Sequence, residues 1–234
     1  MNKPFPLPSE RRSFLTRLNA GAASLAALAV GGVAMAQQKS PAITRFEPAR
    51  HEKDDWFDQL PGRHRLVFDS TAHDGLAEAI LFANNFIRTN QTDYGLQSKD
   101  LAVVVVVRHR STPFGYNDAM WAKYGTVIAA RAKVEDPKNK LAPKLNIFNV
   151  PEYGELLGTR TTTLDSLSKQ GVQLAVCGVS TRGYATAIAQ AVGEKVDAIY
   201  SELTANLLSN ARVVPAGIVA VARAQERGYS LVSV

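Results

Sequence analysis

A single cysteine, four histidines and a scatter of arginines are the side chains from which this 234-residue chain could build chemistry. Cys177 closes the apolar run Val172-Gln173-Leu174-Ala175-Val176 and is followed by Gly178-Val179-Ser180-Thr181-Arg182. Such a run reads as a strand, and the segment after it as the start of a helix. A thiol at a helix N-terminus, close to arginines, is favoured as the thiolate by the helix dipole and by the cations, and the thiolate is the nucleophile. Ser180 or Thr181 is the expected cap of that helix. Alternation places Val172, Leu174 and Val176 on one face and Gln173, Ala175 and Cys177 on the other. The competing reading of a single cysteine is a small buried hydrophobe, and a thiol on a wholly buried face would be inert.

A second candidate turn, Arg108-His109-Arg110-Ser111-Thr112, follows the unbroken run Leu101–Val107. His109 there is either a general acid or base assisting the thiol or a residue that only closes the strand end. Arg108 and Arg110 alternate away from it, so one of them is expected to face a crevice as an anion holder. The candidate catalytic residues are therefore Cys177 and His109, and the candidate substrate-binding residues are Arg110, Arg182 and Ser180. His73 sits in a further loop.

These residues need elements to position them. Strands are expected at 65–69, 101–107, 172–177, 212–214 and 229–234. Helices are expected at 75–88, capped by Asp74, then before the third strand, and at 181–191, 196–208 and 217–227. A β-branched run without polar alternation is buried on both faces, as in a parallel sheet covered by helices. The fold class is α/β, with a parallel sheet and helices on both faces. Ligands of such sheets sit beyond the carboxyl ends of the strands, where Asp69, His73, Arg108, His109, Arg110, Cys177, Arg182 and Gly217 would gather. Residues 37–62 read as an N-terminal arm with Trp56 and Phe57 pinned against the domain at 63–234. Residues 133–160, with Pro137, Pro143 and Pro151, form a long excursion suited to a lid, an oligomer contact or a decorated loop.

Several functions are excluded. The chain has no Cys-x-x-Cys and no Cys-x-x-Cys-His, which removes a thioredoxin-like pair and covalent haem. It has no G-x-G-x-x-G and no phosphate-binding P-loop, and no cofactor is implied. Cys177 and His109 are too few for a structural zinc site. Net charge is +6, of which Lys3, Arg11, Arg12 and Arg17, less Glu10, contribute half within residues 1–36. The remaining cations form no stripe, so no nucleic-acid footprint is present.

Residues 1–36 read as a signal peptide. Arg11-Arg12-Ser13-Phe14-Leu15 precedes a mildly apolar stretch at 20–33 and the small-residue site Ala34-Met35-Ala36. The arginine pair resembles the twin-arginine export motif. The expected location is periplasmic, with no stable membrane span after cleavage, because an anchor helix wants roughly 20 strongly apolar residues. A lone cysteine in an exported chain points to intermolecular pairing or a free reactive thiol.

Three stretches resemble the DsrE/DsrF-like (YchN-like) family: Leu101–Val107 running into the Arg-His turn, the strand ending in Cys177-Gly178, and the tail from Val213-Val214-Pro215-Ala216-Gly217 to Gln225-Glu226-Arg227-Gly228-Tyr229. The resemblance spans 63–234. It implies a three-layer α/β/α fold with a five-stranded parallel sheet and homo-oligomers. It also implies sulfur transfer through a persulfide on Cys177, with a sulfur-donor or acceptor protein as partner. The export signal and the 133–160 insertion depart from the family pattern. Two other readings stay open: a non-enzymatic module that binds a small ligand or assembles through the insertion, and a metal-binding protein using Cys177 and His109.

Overall fold

Seven consecutive buried residues make β2, Leu101–Val107, the centre of the molecule. Val103, Val105 and Val107 enter one core, and Ala102, Val104 and Val106 the other. A strand apolar on both faces must lie inside a sheet covered on both sides, and each buried valine contributes about 1.5–3 kcal/mol. The computed structural model describes residues 47–234, and the expected signal peptide lies outside them.

In chain order the elements are α1 (Trp56–Gln59), β1 (His64–Ser70), α2 (His73–Tyr94), β2, α3 (Asp118–Ala132), α4 (Gly154–Leu157), α5 (Leu164–Lys169), β3 (Gln173–Cys177), α6 (Gly178–Val192), α7 (Val196–Ala205), β4 (Ala211–Val214), α8 (Gly217–Gln225) and β5 (Ser230–Ser233). All five strands are parallel, in the order β4-β3-β2-β1-β5. This is the expected α/β class with helices on both faces.

The strand order decides how the two faces are covered. From β1 to β4 each step moves one strand in the same direction, and the chain then returns across the sheet to place β5 beside β1. Connections of one hand put helices on one face for steps in one direction and on the opposite face for the return. Accordingly α2, α3, α5, α6 and α7 supply the larger core, through Ile80, Trp121, Leu167, Ile188 and Leu203. The opposite face is covered by α8, through Ala220, Val221 and Ala224, and by Trp56 and Phe57 of the arm, whose rings stack 3.8 Å apart. Arg65 ties that arm to β1 by donating to the carbonyls of Phe57, Leu60 and Gly62.

One local expectation is corrected, and two features go beyond the sequence reading. Helix α2 starts at His73, so Asp74 lies in its first turn and Ala72 is the N-cap, without a side-chain bond. The sequence patterns did not point to α3, whose apolar stripe is interrupted by Gly125. That glycine allows close approach, since a Cβ there would lie 2.2 Å from the Pro143 carbonyl oxygen. The 133–160 excursion is packed against the domain. Asn146, fully buried, donates to the carbonyls of Phe114 and Tyr116 and accepts from Phe148 N–H, while Ile147 and Phe148 enter the larger core.

Candidate functional site

Adjacent strands β3 and β4 send their following helices to opposite faces: α6 packs in the larger core and α8 in the smaller. Such a divergence opens a crevice at the carboxyl edge of a parallel sheet. Cys177 occupies it. Ser180 or Thr181 was the expected cap of α6, but Cys177 itself is the N-cap, its Sγ accepting from the Ser180 N–H at 3.4 Å. The Gly217 N–H, in the first turn of α8, donates to the same sulfur at 3.2 Å. One sulfur thus sits at the N-termini of two helices, where partial positive charge concentrates.

Close packing depends on two glycines. A Cβ on Gly178 would lie 2.9 Å from the Val214 carbonyl oxygen, and one on Gly217 would lie 2.6 Å from Arg108 Cβ. Only hydrogen at both positions lets β3, β4 and the Arg108 side chain converge around the sulfur. The convergence also encloses Cys177, which is 5 % exposed.

Arg108 is the arginine beside the sulfur, packed against Gly217. Its Nε and Nη2 donate to Asp69 Oδ1 and Oδ2 at 2.6 and 2.9 Å, a bidentate pair in which Asp69 is buried. The Asp69 hydrogen bonds raise the Arg108 pKa above its ordinary value, burial opposes this, and the charge of Cys177 adds to the rise. A guanidinium clamped in this way is a fixed cation rather than a roaming one. Residue spacing places Asp69 at this sheet edge but gives it no role there. The signal that could have found it is register: Asp69 pairs with Val106, on the same side of β2 as Arg108.

The remaining candidates lie around this edge. The Ser180 hydroxyl accepts from the His109 N–H at 3.0 Å, which ties the turn after β2 to the first turn of α6. His109 holds a left-handed backbone, φ 55°, and its ring is exposed. Arg182 is turned towards α7, where it pairs with Asp197 and lies 4.2 Å over the Tyr200 ring. Arg110 lies on the α6 side, close enough to Tyr184 for its charge to oppose the rise that burial imposes on that phenol. Beneath them, the buried Tyr116 hydroxyl donates to Thr181 Oγ1 at 3.0 Å, and burial raises its pKa.

Among the described residues no three His, Cys, Asp or Glu side chains converge as a metal-ligand set. No described helix is long and apolar enough to cross a membrane. Comparisons with protein-family models, curated proteins and solved structures each returned no match.

Proposed function

We propose that Cys177 accepts and carries sulfane sulfur as a persulfide. The observation that carries this reading is the sulfur's position at two diverging helix N-termini, receiving N–H bonds from Ser180 and Gly217. Both donors suit an anionic sulfur better than a neutral one, and the clamped Arg108 adds a positive charge nearby. The resemblance of the Cys177-Gly178 strand and of the tail from Val213 to the DsrE/DsrF-like family points the same way.

The step is a sulfur transfer. The Cys177 thiolate attacks the outer sulfur of a persulfide or thiosulfonate donor, forming the new S–S bond. The donor's own S–S bond breaks and its electron pair leaves on the departing thiolate or sulfinate, so no external oxidant or reductant is needed. In this reading His109, exposed on the turn that Ser180 holds, takes the thiol proton. Arg110 meets the anionic donor as it approaches, whereas Arg182 is committed to Asp197 and Tyr200 and acts by bracing α6 against α7. The proposal places the protein in the periplasm as a homo-oligomer that exchanges sulfur with a protein partner.

The test is intact-mass analysis after incubation with a sulfane-sulfur donor, with Cys177→Ala as control. One added sulfur atom on the wild type alone, removed by reductant, is the expected result. No addition to a folded wild-type protein, together with failure of Cys177 to alkylate, overturns the reading.

A further inference from the structure

Arg108 has a neighbour on either side that could hold its charge. Val106 pairs with Ala175, and both enter the smaller core, so two residues further on Arg108 and Cys177 stand side by side on that face. One strand spacing, about 4.8 Å, separates their backbones. On the other side of β2 lies β1, with Asp69. The guanidinium goes to Asp69, through Nε and Nη2 at 2.6 and 2.9 Å, and among the described residues it donates nothing to Cys177. The sulfur takes its hydrogen bonds from the Ser180 and Gly217 amides instead. Gly217 also lies along the Arg108 stem, where a Cβ would come within 2.6 Å of Cβ and 3.0 Å of Cδ. An arginine one strand away from the sulfur is thus turned from it by a buried carboxylate.

We propose that Asp69 is a positioning residue of the Cys177 site, which keeps the Arg108 guanidinium off the sulfur and so preserves the nucleophilicity of that sulfur. The inference rests on the reading of Cys177 as the reacting sulfur. A thiolate in contact with a guanidinium forms at lower pH but attacks more slowly, because nucleophilicity falls with basicity. The Asp69 hydrogen bonds raise the Arg108 pKa, burial opposes this, and the charge of Cys177 adds to the rise, so the two side chains already sense each other. The other titratable group that registers the Cys177 charge is the Tyr116 phenol, bonded to Thr181 and raised by burial. From α8 and β4 the neighbours are Gly217 and Val214, without charge.

Cys177 is the one cysteine of the chain, so ultraviolet thiolate absorbance, less that of the matching Cys177→Ala protein, reports it alone and needs no reagent to reach it. Asp69→Asn offers one acceptor where the guanidinium fork needs two, and releases Arg108. Loss of the carboxylate charge at two strand spacings would by itself move the pH profile down by about one unit, whereas contact between Arg108 and the sulfur should move it down by about two units or more. Alkylation at the high-pH plateau should slow by roughly fivefold to tenfold. Asp69→Asn/Arg108→Gln, a neutral pair, should bring both readouts back towards the wild type. Asp69→Ser is the second route if asparagine disturbs β1. If the alkylating reagent does not reach the sulfur, the pH profile decides. A downward shift of about one unit or less, an upward shift, an unchanged plateau rate, or a double variant that behaves like Asp69→Asn each overturns the inference. Sulfur uptake by the wild type is scored separately: uptake without these shifts removes this inference and keeps the sulfur reading, and shifts without uptake do the reverse.

Discussion

Replacing Gly217 by alanine sets two effects of opposite sign against each other. Gly217 begins α8, and helix propensity favours alanine over glycine there by up to about 1 kcal/mol. Packing opposes it. The new Cβ would lie 2.6 Å from Arg108 Cβ, 3.0 Å from Arg108 Cδ and 3.2 Å from Val106 Cγ1. The closest of these is anchored to the end of β2 and cannot swing aside, so the start of α8 must move. Overpacking of this kind costs about 1–3 kcal/mol. Packing wins, with an expected net loss of about 1–2 kcal/mol, or roughly 2–8 °C in melting temperature for a protein of this size. Urea denaturation of Gly217→Ala, Arg108→Gly and the double variant measures the coupling. In the Arg108→Gly background the two shortest contacts vanish, so Gly217→Ala should become close to neutral there. Additivity within about 0.5 kcal/mol, or a single variant more stable than the wild type, would refute the claim that these glycine and arginine atoms pack so closely beside the sulfur.

Two further predictions concern the excursion. Asn146→Ala removes the donor to two buried carbonyls and should destabilise the protein by about 2–4 kcal/mol, with new proteolytic cleavage within 133–160; an unchanged digestion pattern would contradict the anchoring role. Asp136 gives a pH dependence. Burial pushes its carboxyl up, but N–H donors from Asn139 and Lys138 and the Tyr153 hydroxyl outweigh it, so the net shift is downward. A depressed folded value means that the stabilisation is full above the ordinary aspartate pKa near 4 and is lost as pH falls through the folded value. Urea midpoints between about pH 7 and pH 3 should therefore fall more steeply for the wild type than for Asp136→Asn, and parallel profiles would show that the carboxylate contributes nothing.

Much of the fold was legible because its signals are local. The valine run of β2 announces a strand buried on both faces, and its expected bounds match the observed ones. The stripes of α2, α6 and α8 locate those helices to within a few residues at the N-terminus, with larger differences at the C-terminal end of α2. Helix α3 was not legible because Gly125 is there for a neighbouring loop, and a contact with Pro143 leaves no mark on the helix's own periodicity. The same holds for Asn146, one polar residue in a polar stretch until the carbonyls it serves are seen.

By itself the sequence determined the α/β class, the placement of Cys177 at a strand end before a helix, and the gathering of arginines and His109 in turns at one sheet edge. Those properties follow from spacing along the chain. Tertiary structure alone decided that β4 lies beside β3 while α8 crosses to the opposite face, because strand order depends on contacts between distant segments. That crossing brings the Gly217 amide to Cys177, a second donor beside the Ser180 amide that the cysteine caps. It was also tertiary structure that gave Arg108 its carboxylate partner on β1 and turned Arg182 away towards α7. Register and helix packing set those distances, and neither is written in the spacing of residues along one strand.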